Sequence, residues 1–187
     1  LSASSIAENA AGTTVGTLST TDVDSGDTFT YTLSGSDTAS FEISGTTLKL
    51  KDAVSANHEL QSSYSVTVTA TDAGGLTTSQ AFTVSVTNAN ESPSAVTLSA
   101  SSIAENSAGA TVGTLSTTDV DGGDTFTYTL SGTDAASFEI SSTTLKLKAS
   151  TTADYETQAA YSVTVTVTDA GGLTTSETFT ISVTNIN

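Results

Sequence analysis

The sequence predicts an all-β protein, two tandem seven-stranded Greek-key β-sandwiches of the immunoglobulin-like class, on three observations. The first is duplication. Shifted by 97 positions, the chain of 187 residues aligns Leu1 with Leu98, Asp22 with Asp119, Tyr64 with Tyr161 and Asn90 with Asn187 without a gap, and 70 of the 90 paired positions are identical. A repeat of this size is too long for a solenoid unit and is large enough to bury a core of its own. The second is strict alternation, as in Tyr64, Val66, Val68 and Ala70 against Ser65, Thr67, Thr69 and Thr71, which gives a strand one apolar and one polar face. The third is a succession of short apolar runs separated by turn residues, with no stretch of helical period. The expected division is 1–90 for the first repeat, 91–97 for a linker and 98–187 for the second repeat.

The elements follow in order. An opening strand is expected near Leu1 to Ile6, short runs around Val15 to Leu18 and Phe41 to Ile43, and alternating runs at Phe29, Tyr31 and Leu33, at Leu48 and Leu50, at Tyr64 to Thr71 and at Phe82, Val84 and Val86. That makes seven strands per copy. Ser25-Gly26, Ser34-Gly35 and Ala73-Gly74-Gly75 supply the turns, because glycine supplies the positive φ that tight turns need. The outward threonines Thr67, Thr69, Thr164 and Thr166 are read as ordinary strand residues. Asn88 to Ser94 forms the seam between copies and holds the only proline, Pro93.

Composition narrows the function. A formal charge of -16, from 20 acidic groups against four lysines and no arginine, excludes a surface that tracks nucleic-acid phosphates. With no cysteine, an extracellular life has to be stabilised by burial or by metal. No apolar run approaches the ~18 residues of a membrane span, and no leader is recognisable. The chain reads as part of a longer polypeptide. One histidine, His58, stands where the other copy has Tyr155, so neither nucleophilic nor histidine-based chemistry is indicated, and no enzyme is expected.

The acids are placed rather than scattered. Five acidic or amide-bearing segments recur in both copies: Ala7-Glu8-Asn9; Asp22-Val23-Asp24 with Asp27; Asn57-His58-Glu59; Asp72-Ala73-Gly74-Gly75; and Asn88-Ala89-Asn90-Glu91-Ser92-Pro93. The second copy answers with Glu105, Asp119, Asp121, Asp124, Asp154, Glu156, Asp169, Asn185 and Asn187. Calcium takes six to eight oxygen ligands from carboxylates, amides and backbone carbonyls, so several acids converging from separate loops are what a site for it requires. A single Asp motif is more often a turn former. Asp27 and Asp124 are assigned to turns, and His58 to the surface. Asn90-Glu91-Ser92 also matches a glycosylation acceptor, but a linker ligand explains it better.

The order AEN, DxD, DxE, a TDxGG turn and NxNExP resembles the cadherin repeat in its bacterial cadherin-like form, over essentially the whole chain and twice. The resemblance implies calcium bound between repeats. It implies one complete site using Glu8, Glu59, Asn88, Asn90 and Glu91 of the first copy with Asp119, Asp121 and Asp169 of the second. Asp22, Asp24 and Asp72 would then form one half-site, and Glu105, Asp154, Glu156, Asn185 and Asn187 another. Asparagine at 57 and 88 and glutamate at 91 depart from the family's usual aspartates, which lowers the site's charge. Six carboxylates remain, enough for about two or three divalent ions.

Two carboxylates ~4 Å apart repel by ~4 kcal/mol at an effective dielectric near 20, so such a seam is expected to spread when empty and lock when filled. The implied function is a calcium-stiffened spacer or adhesion repeat of a large secreted or surface protein, with adjacent repeats as partners. A carbohydrate-binding or homophilic module of an adhesin or a polysaccharide-degrading enzyme is the alternative, with a cell-surface glycan as its ligand. No tryptophan is present and the tyrosines and phenylalanines fall mainly on inward faces, which weakens a glycan platform.

Overall fold

The structure, a computed structural model, describes residues 1–23 and 26–186. Asp24 and Asn187 of the expected site lie outside the described residues. The chain divides into two compact units, Leu1–Ala89 and Asn90–Asn187.

In the first unit, strands β1 (Ser5–Ala7), β2 (Thr14–Thr17), β3 (Thr30–Ser34), β4 (Phe41–Ser44), β5 (Thr47–Leu50), β6 (Ser63–Thr71) and β7 (Thr77–Thr87) form two sheets, ordered β1-β7-β6-β3 and β2-β5-β4. The longest ladder is the antiparallel β6–β7 hairpin, with Ser63 opposite Ser85 and Thr71 opposite Thr77. Its alternation is the one read from the sequence: Tyr64, Val66, Val68 and Ala70 are buried. From β7, Val84 and Val86 join them, and Leu48 and Leu50 of β5 close the core from the facing sheet. Phe41 meets Tyr64 edge to face at 5.3 Å, the arrangement aromatic quadrupoles favour. Two facing sheets with apolar inner faces are a Greek-key sandwich.

The second unit repeats the plan, with β8 (Ala95–Leu98), β9 (Ser102–Ala104), β10 (Thr111–Thr118), β11 (Thr127–Ser131), β12 (Phe138–Ser141), β13 (Thr144–Leu147), β14 (Ala160–Thr168) and β15 (Thr174–Thr184). Its sheets run β9-β15-β14-β11 and β8-β10-β13-β12. The eighth strand arises because the opening strand is divided. β8 pairs antiparallel with the end of β10, Leu98 opposite Leu115, whereas β9 crosses to pair parallel with β15. The sequence places residues 95–97 in the linker. They are strand here because Val96 is buried against Leu115, Val165 and Val167, which drives the short segment onto the sheet edge.

The crossover is tight. A Cβ on Gly113 would lie 2.8 Å from the Ala100 nitrogen, so only glycine lets β10 pass beneath it. The outward threonines pair across strands, Thr69 with Ser79 and Thr166 with Ser176, both at 2.8 Å. Each sandwich thus presents two loop-bearing ends, and the acids lie at those ends.

Candidate metal centre

One end of each unit is organised around a buried glutamate. Glu8 follows β1 directly, and Asn9 after it adopts a left-handed φ of 62°, which asparagine tolerates better than most residues. The chain therefore turns away at once and leaves the carboxylate pointing inward, only 4 % exposed. The His58 amide donates to Oε2 at 2.7 Å and the Ala89 amide to Oε1 at 2.6 Å. Those donors, His58 first, hold the Glu8 carboxyl below the usual carboxylate range against the opposing effect of burial.

The carboxylates of Glu8 and Glu59 come within 4.8 Å, and Asn88 follows β7 on the same exit segment as Ala89. His58 contributes its main chain, while its ring contacts Glu59 at 3.3 Å. This explains why tyrosine serves at the same position in the other copy. There Glu105 is equally buried and accepts from Tyr155 and Ile186 at 3.2 and 2.6 Å. It lies within 4.8 Å of Asp154 and Glu156. Asp154 is held below the usual range by the Thr157 hydroxyl and amide, and Asn185 donates to Glu156 at 3.0 Å.

The other end of the second unit gathers Asn90, Glu91, Asp119, Asp121 and Asp169. Asp119 follows β10 directly, and the Asp121 amide returns to its Oδ1 at 3.1 Å. The Glu91 amide donates to Asp121 at 2.8 Å and the Asn90 side chain to Asp169 at 2.9 Å. Asp169 opens the β14–β15 loop, with its Oδ1 accepting from the Leu173 amide at 2.8 Å, a side-chain turn of the kind aspartate forms. Burial opposes its ionisation, yet Asn90 and the amides of Leu173, Gly172 and Gly171 outweigh it and hold the carboxyl low. The Asn90 amide occupies the space beside Gly171, where a Cβ would fall 2.5 Å from it. The first glycine of the TDxGG turn is therefore a seat for the linker asparagine. The sequence offered Gly171 only as a turn residue.

Asp27 and Asp124, expected as turn residues, lie beside the other acids of their copies. A carboxylate oxygen of Asp124 lies within 4.8 Å of Asp119 and Asp121, and Asp27 stands in the same relation to Asp22 and Asp72. Gly123, with φ of 95°, turns its loop back toward Asp119 and Asp121, and Gly26, with φ of 101°, precedes Asp27 in the other copy. The recurring offset of Asp27 and Asp124 after a glycine was the sequence signal for this. Asp119 Oδ2 and Asp124 Oδ2 are shielded from solvent and make no hydrogen bond among the described residues. Burial first, and then the charges of Asp121, Asp119 and Asp169, raise the Asp124 carboxyl above the usual range. Buried carboxylate oxygens without donors, surrounded by further acids, are uncompensated charge. The donor set is all hard oxygen, which suits calcium.

The sequence pattern of the cadherin domain matches residues 2–87 and again residues 99–184. The chain belongs to the cadherin family. Its cadherin repeats superpose on the protocadherin fragment PcdhgB3 EC1-4 with a TM-score of 0.76 at 24% identity, covering 100% of this chain and 48% of that one. Extracellular cadherin domains 1-4 of Protocadherin Gamma B7 give 0.73 at 26% identity, covering 97% and 47%. Human Protocadherin-24 EC1-2 gives 0.75 at 20% identity, covering 98% and 95%. The chain thus spans about half the length of the first two. Tandem cadherin repeats are extracellular, adhesion-type modules. Among the described residues no helix is long and apolar enough to cross a membrane.

Proposed function

We propose that these cadherin repeats form a calcium-binding spacer of an extracellular adhesion protein, with calcium held between successive repeats and stiffening the chain there. Glu8, Glu59 and Asn88 would serve from the first repeat, and Asn90, Glu91, Asp119, Asp121 and Asp169 from the second. Asp22, Asp24 and Asp72, like Glu105, Asp154, Glu156, Asn185 and Asn187, are the matching half-sets toward further repeats. What carries the reading is the pair of solvent-shielded, donorless oxygens on Asp119 and Asp124, set among further acids. Calcium would supply positive charge and an oxygen-coordination demand that the protein groups meet from several loops at once.

The chain's own contribution is preorganisation. Backbone amides already fix Glu8, Asp121 and Asp169, so ordering costs less when the cation arrives. Removing the cation leaves mutual repulsion, which salt screens only in part at buried positions. Among the described residues, Tyr155 is the one aromatic of the large apolar side chains with high exposure, which counts against a stacking platform for sugars.

Calorimetric titration with calcium, melting with and without chelator, and small-angle scattering test the proposal together. Calcium at ~100 times its Kd is expected to add about 2.7 kcal/mol of stability and to narrow the range of interdomain angles. Magnesium is expected to substitute poorly, because it demands tight octahedral geometry and keeps its waters. A melt indifferent to calcium and chelator overturns metal binding. Binding with unchanged scattering overturns the spacer role and shifts weight to a binding module, for which glycan arrays and self-association assays are the next measurement.

A further inference from the structure

We propose that an open edge of the first sandwich holds an extended strand of the same polypeptide, the segment leading into Leu1, with one apolar side chain seated against Leu18, Tyr31, Val68 and Phe82. The inference goes beyond the calcium reading and rests on packing alone. A groove of about 470 Å³ is lined by these side chains and by Leu1. A second groove, of about 230 Å³, shares Thr20, Thr21 and Thr78 with it, so the two make one trough.

The second repeat has the same surface covered. There the counterparts Leu115, Tyr128, Val165 and Phe179 pack in one cluster with the buried Val96 of β8, and β8 pairs antiparallel with residues 115–118 at the end of β10. The Ser94 amide donates to the Thr118 carbonyl at 2.8 Å, and the Thr175 hydroxyl donates to the Pro93 carbonyl. The counterparts of those two threonines, Thr21 and Thr78, line the trough of the first repeat. Without such a partner β2 stops at Thr17, whereas β10 runs on to Thr118, the equivalent of Thr21. The sheet accordingly has three strands in the first repeat and four in the second. A sheet edge beside an apolar groove is a template for an added strand. Leu1 stands where Leu98 closes β8, which sets direction and register: the segment before Leu1 follows the course that residues 90–97 take before Leu98. A strand tethered in this way reaches the trough without the translational freedom that a separate molecule gives up.

The test extends the full chain at its N-terminus with a copy of residues 90–97, and a second extended chain carries aspartate in place of the valine of that copy. Hydrogen exchange at residues 19–21 and melting are both read in chelator, so that calcium plays no part. The valine extension is expected to slow exchange there about tenfold or more and to raise the melting point of the first unit by about 5 °C, and the aspartate extension to do neither. Exchange and melting equal in all three chains overturn the inference. Equal protection by both extensions overturns it too, because a tail then shields the edge without seating a side chain. Protection of the unextended chain that grows with its concentration makes a second molecule the occupant and overturns the assignment to the same polypeptide. A chain that binds no calcium, yet protects residues 19–21 only when the valine is present, keeps this inference and loses the calcium reading. Calcium binding with no such protection loses this inference alone.

Discussion

Asp37 is an acid of this chain with a purely structural task. It accepts from the Ser65 amide at 2.7 Å and the Gln61 side chain at 3.1 Å, tying the short 3-10 turn at Thr38–Ser40 to β6. The Ser65 amide, then Gln61, hold its carboxyl below the ordinary value of 3.8 despite burial. A folded value below the unfolded one means stability that is present above about pH 4 and lost as pH falls through the folded value. Asp37→Asn is therefore expected to cost about 1 kcal/mol at neutral pH and progressively less as the pH falls through the folded value, as read from urea denaturation at neutral and at acid pH. A penalty that persists in acid would mean that shape, not charge, matters there. Sequence motif alone cannot separate such acids from metal ligands: Asp37 and Asp124 each stand near a turn glycine, and only the direction of the folded loop gives one its donors and denies them to the other.

Among the elements, the β4–β5 hairpin and its copy are a natural comparison. Both are closed by two residues, with Gly45 at φ 61° in the first and Ser142 at φ 57° in the second. Glycine adopts that region freely and serine does not. Ser142→Gly is expected to raise the stability of the second unit by about 0.5–1 kcal/mol, the relief of strain being partly offset by a more flexible unfolded chain. Chemical denaturation reads this directly, and a loss of stability would show that the serine is held by more than its backbone.

Strand existence was legible throughout, since period-two alternation fixes which face is buried. The division of the opening strand was not. Nothing in Ala95–Leu98 differs from a short linker except Val96, whose partners Val165 and Val167 are distant in sequence. The role of Gly113 depends likewise on where a neighbouring chain passes.

At the scale of the whole molecule, duplication was the most informative signal, and each unit has its own apolar core. The acids at the unit ends were legible as a set because they recur, while their inward or outward aim was settled by features a motif does not carry, such as Asn9 in the left-handed region and the Asn90 seat on Gly171. One feature of each sandwich also bears on tension. β1 and β7 run parallel, with Ser5 opposite Ser85 and Ala7 opposite Thr87, and they lie near the entry and the exit of the unit. Pulling on those two points slides the strands past each other, so their cross-links are loaded together rather than one after another. Glu8 and Glu105, each clasping the departing chain through a backbone amide, are the last fasteners on that line. Single-molecule extension from the termini is expected to give one abrupt, high-force rupture per unit, with Glu105→Ala lowering the force of one event and leaving the other unchanged. Gradual lengthening at low force would show that the load bypasses these strands. A module joined this way is strongest along the direction in which a tether between surfaces is strained.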